Sequence, residues 1–223
     1  MVHVINKIER PAKENIDRFR GIGTATVHEA SGRKGYVDCA IKPIAKGVRI
    51  CGPAFTVQCH PKDNLMLHKA LERAQPGDIL VATAGGYYEA GYWGGLMATS
   101  AVGRKLGGLA IDGTVRDSEE MVRMGFPVFC RGCCILGTAK STLGLINHPT
   151  LFGGAMVNPG DIILGDDDGM VIVERAECEE VLAKSLARVE AEERKAVHLR
   201  AGVSSVEFNK LGRIFEFLGL KEE

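Results

Sequence analysis

An arginine and an aspartate stand side by side at Arg116 and Asp117, shortly after the apolar stretch Leu109-Ala110-Ile111. An arginine side chain is a permanent cation whose forked donors suit a carboxylate or an enolate oxygen. An aspartate offers a hard oxygen ligand to a hard cation such as Mg²⁺. The same two residue types also occur as a surface ion pair followed by a helix cap, so the pair alone leaves both interpretations open.

A second feature with possible chemistry is Gly94-Gly95, which precedes a helix predicted over residues 94–106. The first backbone amides of a helix have no partner within the helix, and they favour an anion in front of them. In this chain those amides belong to Gly95, Leu96 and Met97, which could bind a carboxylate. An ordinary turn has the same sequence, so this pattern is also open to two interpretations.

The elements around these residues predict how they are positioned. A short buried strand over residues 108–112 should deliver Arg116 and Asp117 at its carboxyl end, before a helix over residues 117–124. Ligands of open α/β sheets bind at the carboxyl ends of the strands. We therefore expect a site at this edge of the sheet.

Strands and helices alternate in the middle of the chain, and strand pairs flank this part. The turns Pro76-Gly77-Asp78 and Pro159-Gly160-Asp161 each feed an apolar strand, as their turn chemistry predicts. The other predicted elements are helices over 11–19, 25–31, 63–74, 176–201 and 204–218, and a strand, bulge and strand over 48–58. We predict one α/β domain over residues 1–223, with a mixed β core and peripheral helices.

Composition limits the partners of the chain. Lysine plus arginine and aspartate plus glutamate both number 28, so no net positive field attracts nucleic acid or anionic lipid. No apolar run reaches the roughly 18–20 residues that span a bilayer. The seven cysteines are an odd number, which is typical of reduced thiols. We expect a cytoplasmic protein that binds neither nucleic acid nor membrane.

Two further patterns are weaker. Cys130 and Cys133 have the spacing of half a zinc knuckle or a redox pair, but no second pair completes it. The run Asp166-Asp167-Asp168-Gly169 lacks the alternation of a calcium loop, because Leu164 occupies its first position; we interpret it as a turn between strands. No glycine-rich nucleotide motif occurs. Catalysis would need only a metal.

Spacing adds information that single residues lack. The order is Gly95, twenty residues, Arg116-Asp117, two residues and Glu120. This pattern resembles the signature of the RraA-like family, which includes class II pyruvate aldolases acting on 4-hydroxy-4-methyl-2-oxoglutarate and 4-carboxy-4-hydroxy-2-oxoadipate. Other segments resemble the family in the same order: ATVHEASGR (25–33), PKDNLMLH (61–68), QPGDILVA (75–82), GYWGGLMATS (91–100), FPVFCRG (126–132), KSTLG (140–144) and NPGDIILGDDDGMVIV (158–173).

The resemblance implies a role for each matched residue. Asp117 would hold Mg²⁺ or Mn²⁺ partly through waters, and Arg116 would contact the keto or enolate oxygen of a 2-oxo acid. The amides of Leu96 and Met97, at the helix start beside Gly95, would bind the pyruvyl carboxylate. Asn64 in the PKDN segment would lie beside the substrate. The activity implied is a metal-dependent lyase that releases pyruvate, as an aldolase, an oxaloacetate decarboxylase or both.

The resemblance also implies a fold and an assembly. The fold would be the RraA-like swivelling β/β/α fold, in a homotrimer or hexamer with sites between subunits. Glu29 and Glu192 would come from the neighbouring chain, with Glu193 as the alternative to Glu192, and the helices over 176–218 would pack on that neighbour. Some members of the family instead act as non-catalytic inhibitors of a ribonuclease.

The sequence departs from the aldolase pattern at Gly95. The better-defined aldolases have an aspartate there, near the catalytic water, where it helps with proton transfer. Loss of CO₂ from oxaloacetate needs no base to deprotonate a hydroxyl. The departure therefore favours the general lyase class over the narrower aldolase activity.

Overall fold

The computed structural model describes residues 1–223 and contains two compact units, Met1–Ser185 and Leu186–Glu223. The helices are α1 (Lys13–Phe19), α2 (Thr24–Ala30), α3 (Leu65–Arg73), α4 (Gly95–Gly103), α5 (Ser118–Met124), α6 (Cys178–Arg200), α7 (Ser205–Phe208) and α8 (Gly212–Phe217). The strands are β1 (Lys42–Pro43), β2 (Ile50–Gln58), β3 (Ile79–Thr83), β4 (Gly91–Trp93), β5 (Gly108–Asp112), β6 (Thr114–Val115), β7 (Val128–Cys130), β8 (Gly132–Cys133), β9 (Leu145–Ile146), β10 (Thr150–Phe152), β11 (Ala155–Val157), β12 (Ile162–Asp166) and β13 (Gly169–Val173).

The main sheet has eight strands, of which seven follow the order β1-β7-β5-β3-β2-β12-β13, while β9 pairs with β2. The central strands β7, β5, β3 and β2 are parallel. The flanking strands β1, β12 and β13 pair antiparallel with their neighbours. A parallel centre with antiparallel edges and surrounding helices confirms the predicted α/β class with a mixed sheet.

A smaller sheet continues the strands that point toward the predicted site. β6 follows β5 after the single residue Gly113, and β8 follows β7 after Arg131. β4 joins them in the order β4-β6-β8, and all three strands are parallel. Because parallel strands end at one edge, the residues after β4 and after β6 lie next to each other. A further two-stranded sheet pairs β10 with β11.

Alternating side chains of the main sheet supply two apolar clusters. Successive residues of a strand point to opposite faces. Thus Leu80 and Ala82 of β3 belong to one cluster, which includes the buried side chains of α3 and α4, while Ile79 and Val81 belong to the other. All four are fully buried. This two-faced core fixes the direction in which β3 and β5 run toward the site.

The predicted break in the strand over residues 48–58 is wrong, because β2 runs without interruption from Ile50 to Gln58. Pro53 pairs with Ile162 of β12, and the parallel pairing with β3 begins one residue later, at Ala54. The missing N–H of Pro53 therefore removes no hydrogen bond to β3. Gly52 also has a packing reason, since a Cβ there would lie 2.5 Å from the carbonyl oxygen of Gly77.

Other predicted boundaries shift by a few residues. The helix predicted over 94–106 ends at Gly103, and the helix predicted from 117 begins at Ser118. The helical tail over 204–218 consists of two short helices, α7 and α8. Of the aspartate run, Asp166 ends β12, and Asp167 and Asp168 form the predicted turn between β12 and β13. None of the helices combines the length and the apolar character that crossing a bilayer requires.

Candidate functional site

The ends of β4 and β6 bring the two candidate segments together. Gly91 pairs with Thr114 and Trp93 with Val115, so the residues after each strand are neighbours. The Arg116 amide donates to the carbonyl oxygen of Trp93 over 2.8 Å. The glycine pair that begins α4 and the arginine–aspartate pair that precedes α5 therefore form one edge, although about twenty residues separate them in the sequence.

Asp117 occupies the N-cap position of α5 but does not cap the helix. Its side chain accepts no hydrogen bond from the first turn of α5. Instead its Oδ2 accepts the Gly95 amide over 3.1 Å, across the edge between the two helices. The interpretation of Asp117 as a simple helix cap is therefore wrong.

The backbone of Asp117 is left-handed, with φ 56° and ψ 39°. Few residues other than glycine adopt this conformation, and aspartate and asparagine tolerate it best. Such conformations persist only where the surroundings require them, and they cluster at functional sites. Here the conformation aims the carboxylate back at the start of α4.

Arg116 keeps its guanidinium available for a ligand. Its Nε lies 3.7 Å from Asp117 Oδ2, and the side chains of Arg116 and Asp117 are 48% and 46% exposed. At this distance and exposure the two charges attract each other weakly. The cation can therefore engage an incoming anion without breaking a tight buried pair.

The glycine pair leaves space that carboxylates fill. A Cβ at Gly94 would lie 2.5 Å from Asp117 Oδ2. A Cβ at Gly95 would overlap the carboxylate of Glu120 on α5. Glu120 thus fills the space that a side chain at position 95 would need, and two carboxylates flank the start of α4.

A cleft of about 280 Å³ opens at this edge. It contains five of the predicted residues, which are Asn64, Leu96, Met97, Arg116 and Asp117. It is also lined by residues that sequence reasoning missed, namely His68, Gly137, Thr138 and Lys140. Lys140 lay within a segment that resembles the family, but neither its type nor its spacing indicated a site.

Asn64 is buried at the cleft wall, with 5% of its surface exposed. Its Nδ2 donates to the carbonyl oxygen of Tyr92 over 2.8 Å, and this bond distinguishes the nitrogen of the side-chain amide from its oxygen. Its Oδ1 has no donor in the chain. An unpaired buried acceptor is costly, so a donor from a ligand or water would complete the hydrogen bonding of Asn64.

The loop that carries Lys140 is fastened to the segment that carries Asn64. Asp63 Oδ2 accepts the amides of Ser141 over 2.6 Å and Thr142 over 2.9 Å. Its Oδ1 accepts the Leu65 amide over 2.8 Å. Burial alone would raise the pKa of Asp63, but these hydrogen bonds outweigh it and lower that pKa below its ordinary value. Asp63 therefore stays ionised and joins two walls of the cleft.

The predicted glutamates have arginine partners in this chain, and Glu29, which shares a compact unit with the cleft, does not line it. Glu29 lies on α2 and pairs with Arg33, with 3.2 Å between Oε1 and Nε. Glu192 lies in the second unit, on α6, where its Oε1 is 2.7 Å from Arg188 Nε. Glu193, the alternative, pairs with Arg200 over 2.8 Å. Their assignment to a neighbouring site stays a prediction.

The carboxylates at the start of α4 fit a hard divalent cation, although only Asp117 lines the cleft itself. No group of three or more histidine, cysteine, aspartate or glutamate side chains forms a complete protein cage. Mg²⁺ is usually held by one or two carboxylates and several waters, so Asp117, with Glu120 beside it, offers a suitable set. Cys130 is a poor ligand, because burial raises its pKa to about 11 and keeps the thiol protonated.

Comparison with known proteins identifies the family to which this chain belongs. The model of the RraA-like family, described as Aldolase/RraA, matches residues 24–172. A relative from Halalkalibacterium halodurans, named "Putative 4-hydroxy-4-methyl-2-oxoglutarate aldolase", is 35% identical over 170 residues, which are 76% of this chain and 81% of the relative.

Two solved structures share the fold. The crystal structure of an uncharacterised protein from Pseudomonas syringae pv. tomato has a TM-score of 0.78 at 26% identity, and the match covers 91% of this chain and all of the other. That of Streptomyces coelicolor RraAS2, described as an unusual member of the RNase ES inhibitor RraA protein family, has a TM-score of 0.77 at 27% identity, covering 85% of this chain and 99% of the other. With the family model matching about two thirds of its length, this chain belongs to the RraA-like family.

Proposed function

We propose that this protein is a cytoplasmic, divalent-metal-dependent lyase that cleaves a carbon–carbon bond to release pyruvate. The observation that carries the proposal is the meeting of Arg116, Asp117 and the start of α4 at the ends of two parallel strands. This edge offers an anion site, a cation for an enolate and a metal ligand within one cleft. The name of the Halalkalibacterium halodurans relative supports aldolase chemistry.

The pyruvyl half of the substrate would be held by its two oxygen-bearing groups. The amides of Leu96 and Met97, in the first turn of α4, would bind the C1 carboxylate. The Arg116 guanidinium would donate to the oxygen on C2. When the C3–C4 bond breaks, its electron pair moves into the enolate, and the fixed positive charge of Arg116 stabilises the oxygen on which negative charge develops.

Asp117, with Glu120 beside it, would hold Mg²⁺ or Mn²⁺, partly through waters. The ion would supply Lewis-acid polarisation of the keto oxygen. The left-handed backbone of Asp117 and its bond to the Gly95 amide fix the carboxylate beside the α4 amides, so one oxygen is oriented by the protein. This arrangement would hold the metal ligand at a constant distance from the α4 amides that bind the substrate carboxylate.

The aldolase and decarboxylase reactions differ in one proton-transfer step. Retro-aldol cleavage requires a base that takes the proton of the C4 hydroxyl, whereas decarboxylation of oxaloacetate does not. The Glu120 carboxylate occupies the space above Gly95, and it can polarise a water for this step. Both reactions pass through the same enolate, so one site would support both.

We also propose that the complete site forms between subunits of a homotrimer or hexamer. Glu29 and Glu192, or Glu193, would be supplied by a neighbouring chain, and the helices over 176–218 would pack on it. Support comes from Glu29, which belongs to the same compact unit as the cleft and does not line it. A site that lacks a second set of acidic groups would gain them by association.

A second candidate function is that of a non-catalytic ribonuclease inhibitor. It is supported by the likeness to Streptomyces coelicolor RraAS2, which is described as a member of a ribonuclease-inhibitor family and shares 27% identity with this chain. Such a role would use the surface of the protein and would not require a polar cleft with a metal ligand. Substitution of Arg116 would then leave inhibition unchanged.

The proposal is tested by measuring pyruvate release with a coupled lactate dehydrogenase assay. The substrates are oxaloacetate and 4-hydroxy-4-methyl-2-oxoglutarate, each with Mg²⁺ and with EDTA, after subtraction of the spontaneous reaction. We expect activity with Mg²⁺ and none with EDTA. We expect Arg116→Ala to lower kcat by about 100- to 1000-fold, while Glu119→Ala, a neighbouring exposed change on α5, has little effect. Activity that survives EDTA, or none on any 2-oxo acid, would contradict the proposal.

A further inference from the structure

Arg131 lies where the smaller sheet leaves the main sheet, and it has no part in the chemistry proposed above. It is the single residue between β7 and β8. Its amide donates over 2.9 Å to the carbonyl oxygen of Gly113, the single residue between β5 and β6. Both strands of the main sheet therefore pass into the smaller sheet at the same level. From there β6 leads directly to Arg116 and Asp117.

The side chain of Arg131 forms a largely buried ion pair across this junction. Its Nε donates to Asp112 Oδ1 over 2.5 Å, and only 17% of each side chain is exposed. Its Nη2 lies 2.9 Å from Asp38 Oδ2. The other oxygen of Asp112 accepts the Gly153 amide over 3.1 Å. The forked donors of the guanidinium thus engage two carboxylates at once, which the single amine of a lysine reproduces poorly.

The same guanidinium contacts the segment that leads into β4. Its Cζ lies 4.9 Å from the centre of the Tyr88 ring, a distance at which a cation and an aromatic ring attract each other. The carbonyl oxygen of Tyr88 accepts the hydroxyl of Thr114, the first residue of β6, over 2.7 Å. The contacts of Arg131 therefore connect all three strands of the smaller sheet, β4, β6 and β8, to the main sheet.

We propose that Arg131 is a positioning residue of the active site, whose ion pair with Asp112 fixes the smaller sheet on the main sheet and so places Arg116 opposite the start of α4. This inference rests on the proposed function and adds to it a residue outside the cleft, since Arg131 does not line it. A displacement of about 1 Å caused by a distant substitution can lower a rate about 100-fold. Loss of the pair should therefore lower kcat without removing any group that contacts the substrate.

The first test compares Arg131→Met with a matched control, Arg10→Met, in the coupled pyruvate assay. Arg10 also forms an ion pair with a buried aspartate of the same compact unit, Asp78, over 2.7 Å. Asp78 precedes β3, so this pair lies at the opposite ends of the parallel strands from the site. At a temperature at which both variants are folded, we expect Arg131→Met to lower kcat by about 10- to 100-fold, with a much smaller change in KM. Arg10→Met should lower the melting temperature and keep the wild-type kcat.

Further variants test whether Arg131 and Asp112 act as one unit. Contributions within one ion-pair network are not additive, so Asp112→Asn, Arg131→Met and the double variant should lose kcat to similar extents. Arg131→Lys, which keeps the charge, should restore part of the loss. The double variant leaves no unpaired charge at the junction, so it provides the kcat measurement if a single variant does not fold.

Hydrogen exchange tests the positioning without turnover. We expect the amides of residues 91–97 and 114–117 to exchange faster in Arg131→Met than in the wild type, because the smaller sheet opens more easily, and to be unchanged in Arg10→Met. The inference is overturned if the folded Arg131 variant keeps the wild-type kcat, if exchange of these segments is unchanged, or if Arg10→Met lowers kcat as much. A wild type that releases no pyruvate, with the expected change in exchange, would reject the lyase proposal and retain the positioning assignment.

Discussion

The properties that make Asp117 a candidate site residue could be predicted only in part from the sequence. Its identity as an acid beside Arg116 was evident from the sequence, and so was its place at the end of a strand. Its left-handed backbone and its bond to Gly95 were not, because both depend on how β4 and β6 align. The same alignment brings Glu120 above Gly95, which spacing along one helix could not indicate.

Gly95 gives a prediction at the scale of the residue. An aspartate at this position would overlap the Glu120 carboxylate, so Glu120 would have to rotate away, and the two like charges would repel each other. We expect the double variant Gly95→Asp/Glu120→Ala to raise the ratio of aldolase to decarboxylase rate more than Gly95→Asp alone. The ratio is measured with 4-hydroxy-4-methyl-2-oxoglutarate and oxaloacetate under one condition. An equal or larger gain in the single variant would show that Glu120 does not obstruct this space.

At the scale of the element, the prediction from sequence succeeded where local patterns determine structure. The turns before β3 and β12, the helix α5 and the strand β5 lie close to their predicted places. It failed at β2, where the position of Pro53 relative to β3 decides whether a strand breaks. It also missed Lys140, since the loop reaches the cleft only through contacts with Asp63 and Asn64.

The prediction at the scale of the element concerns the contribution of Asp63 to stability. Its folded-state pKa is lowered, so its contribution to stability is present above the unfolded value, about 3.9, and is lost as the pH falls through the folded value. Asp63→Asn, which cannot accept all of these amides, should lower the free energy of unfolding by about 1–3 kcal/mol at pH 7. Its stability should also depend less on pH below about pH 4 than that of the wild type.

Urea unfolding at neutral and acidic pH measures both effects. Asp168→Asn is a suitable control, because its exposed side chain fastens no second segment. A variant at Asp63 with the stability and acid profile of the wild type would show that the fastening of the Lys140 loop does not depend on this carboxylate.

At the scale of the whole molecule, the α/β class and the family could be predicted because several matched segments occur in one order. The assembly could not be predicted in the same way, since Glu29 does not line the cleft of its own compact unit. Within a chain each has an arginine partner. A trans role for either glutamate therefore depends on contacts that the chain makes only with another copy.

Mixed oligomers test that role. Asp117→Asn and Glu29→Gln chains should each be inactive alone, and co-expression should restore activity at sites where each chain supplies the residue that the other lacks. Random mixing would rebuild about a quarter of the sites. The measurement is pyruvate release by the co-purified mixture against each variant alone, with the oligomer mass from sedimentation velocity. Absence of any recovery in verified mixed oligomers would argue against sites between subunits.

The most direct test of the central claim is pyruvate release by Asp117→Asn with saturating Mg²⁺. Asparagine tolerates the left-handed backbone and can still accept the Gly95 amide, so the substitution removes charge while keeping the local geometry. We predict a loss of activity of about 1000-fold, with unchanged thermal unfolding and with full activity in the Asp168→Asn control. An Asp117→Asn protein that releases pyruvate at the wild-type rate would contradict the assignment of this edge as the active site.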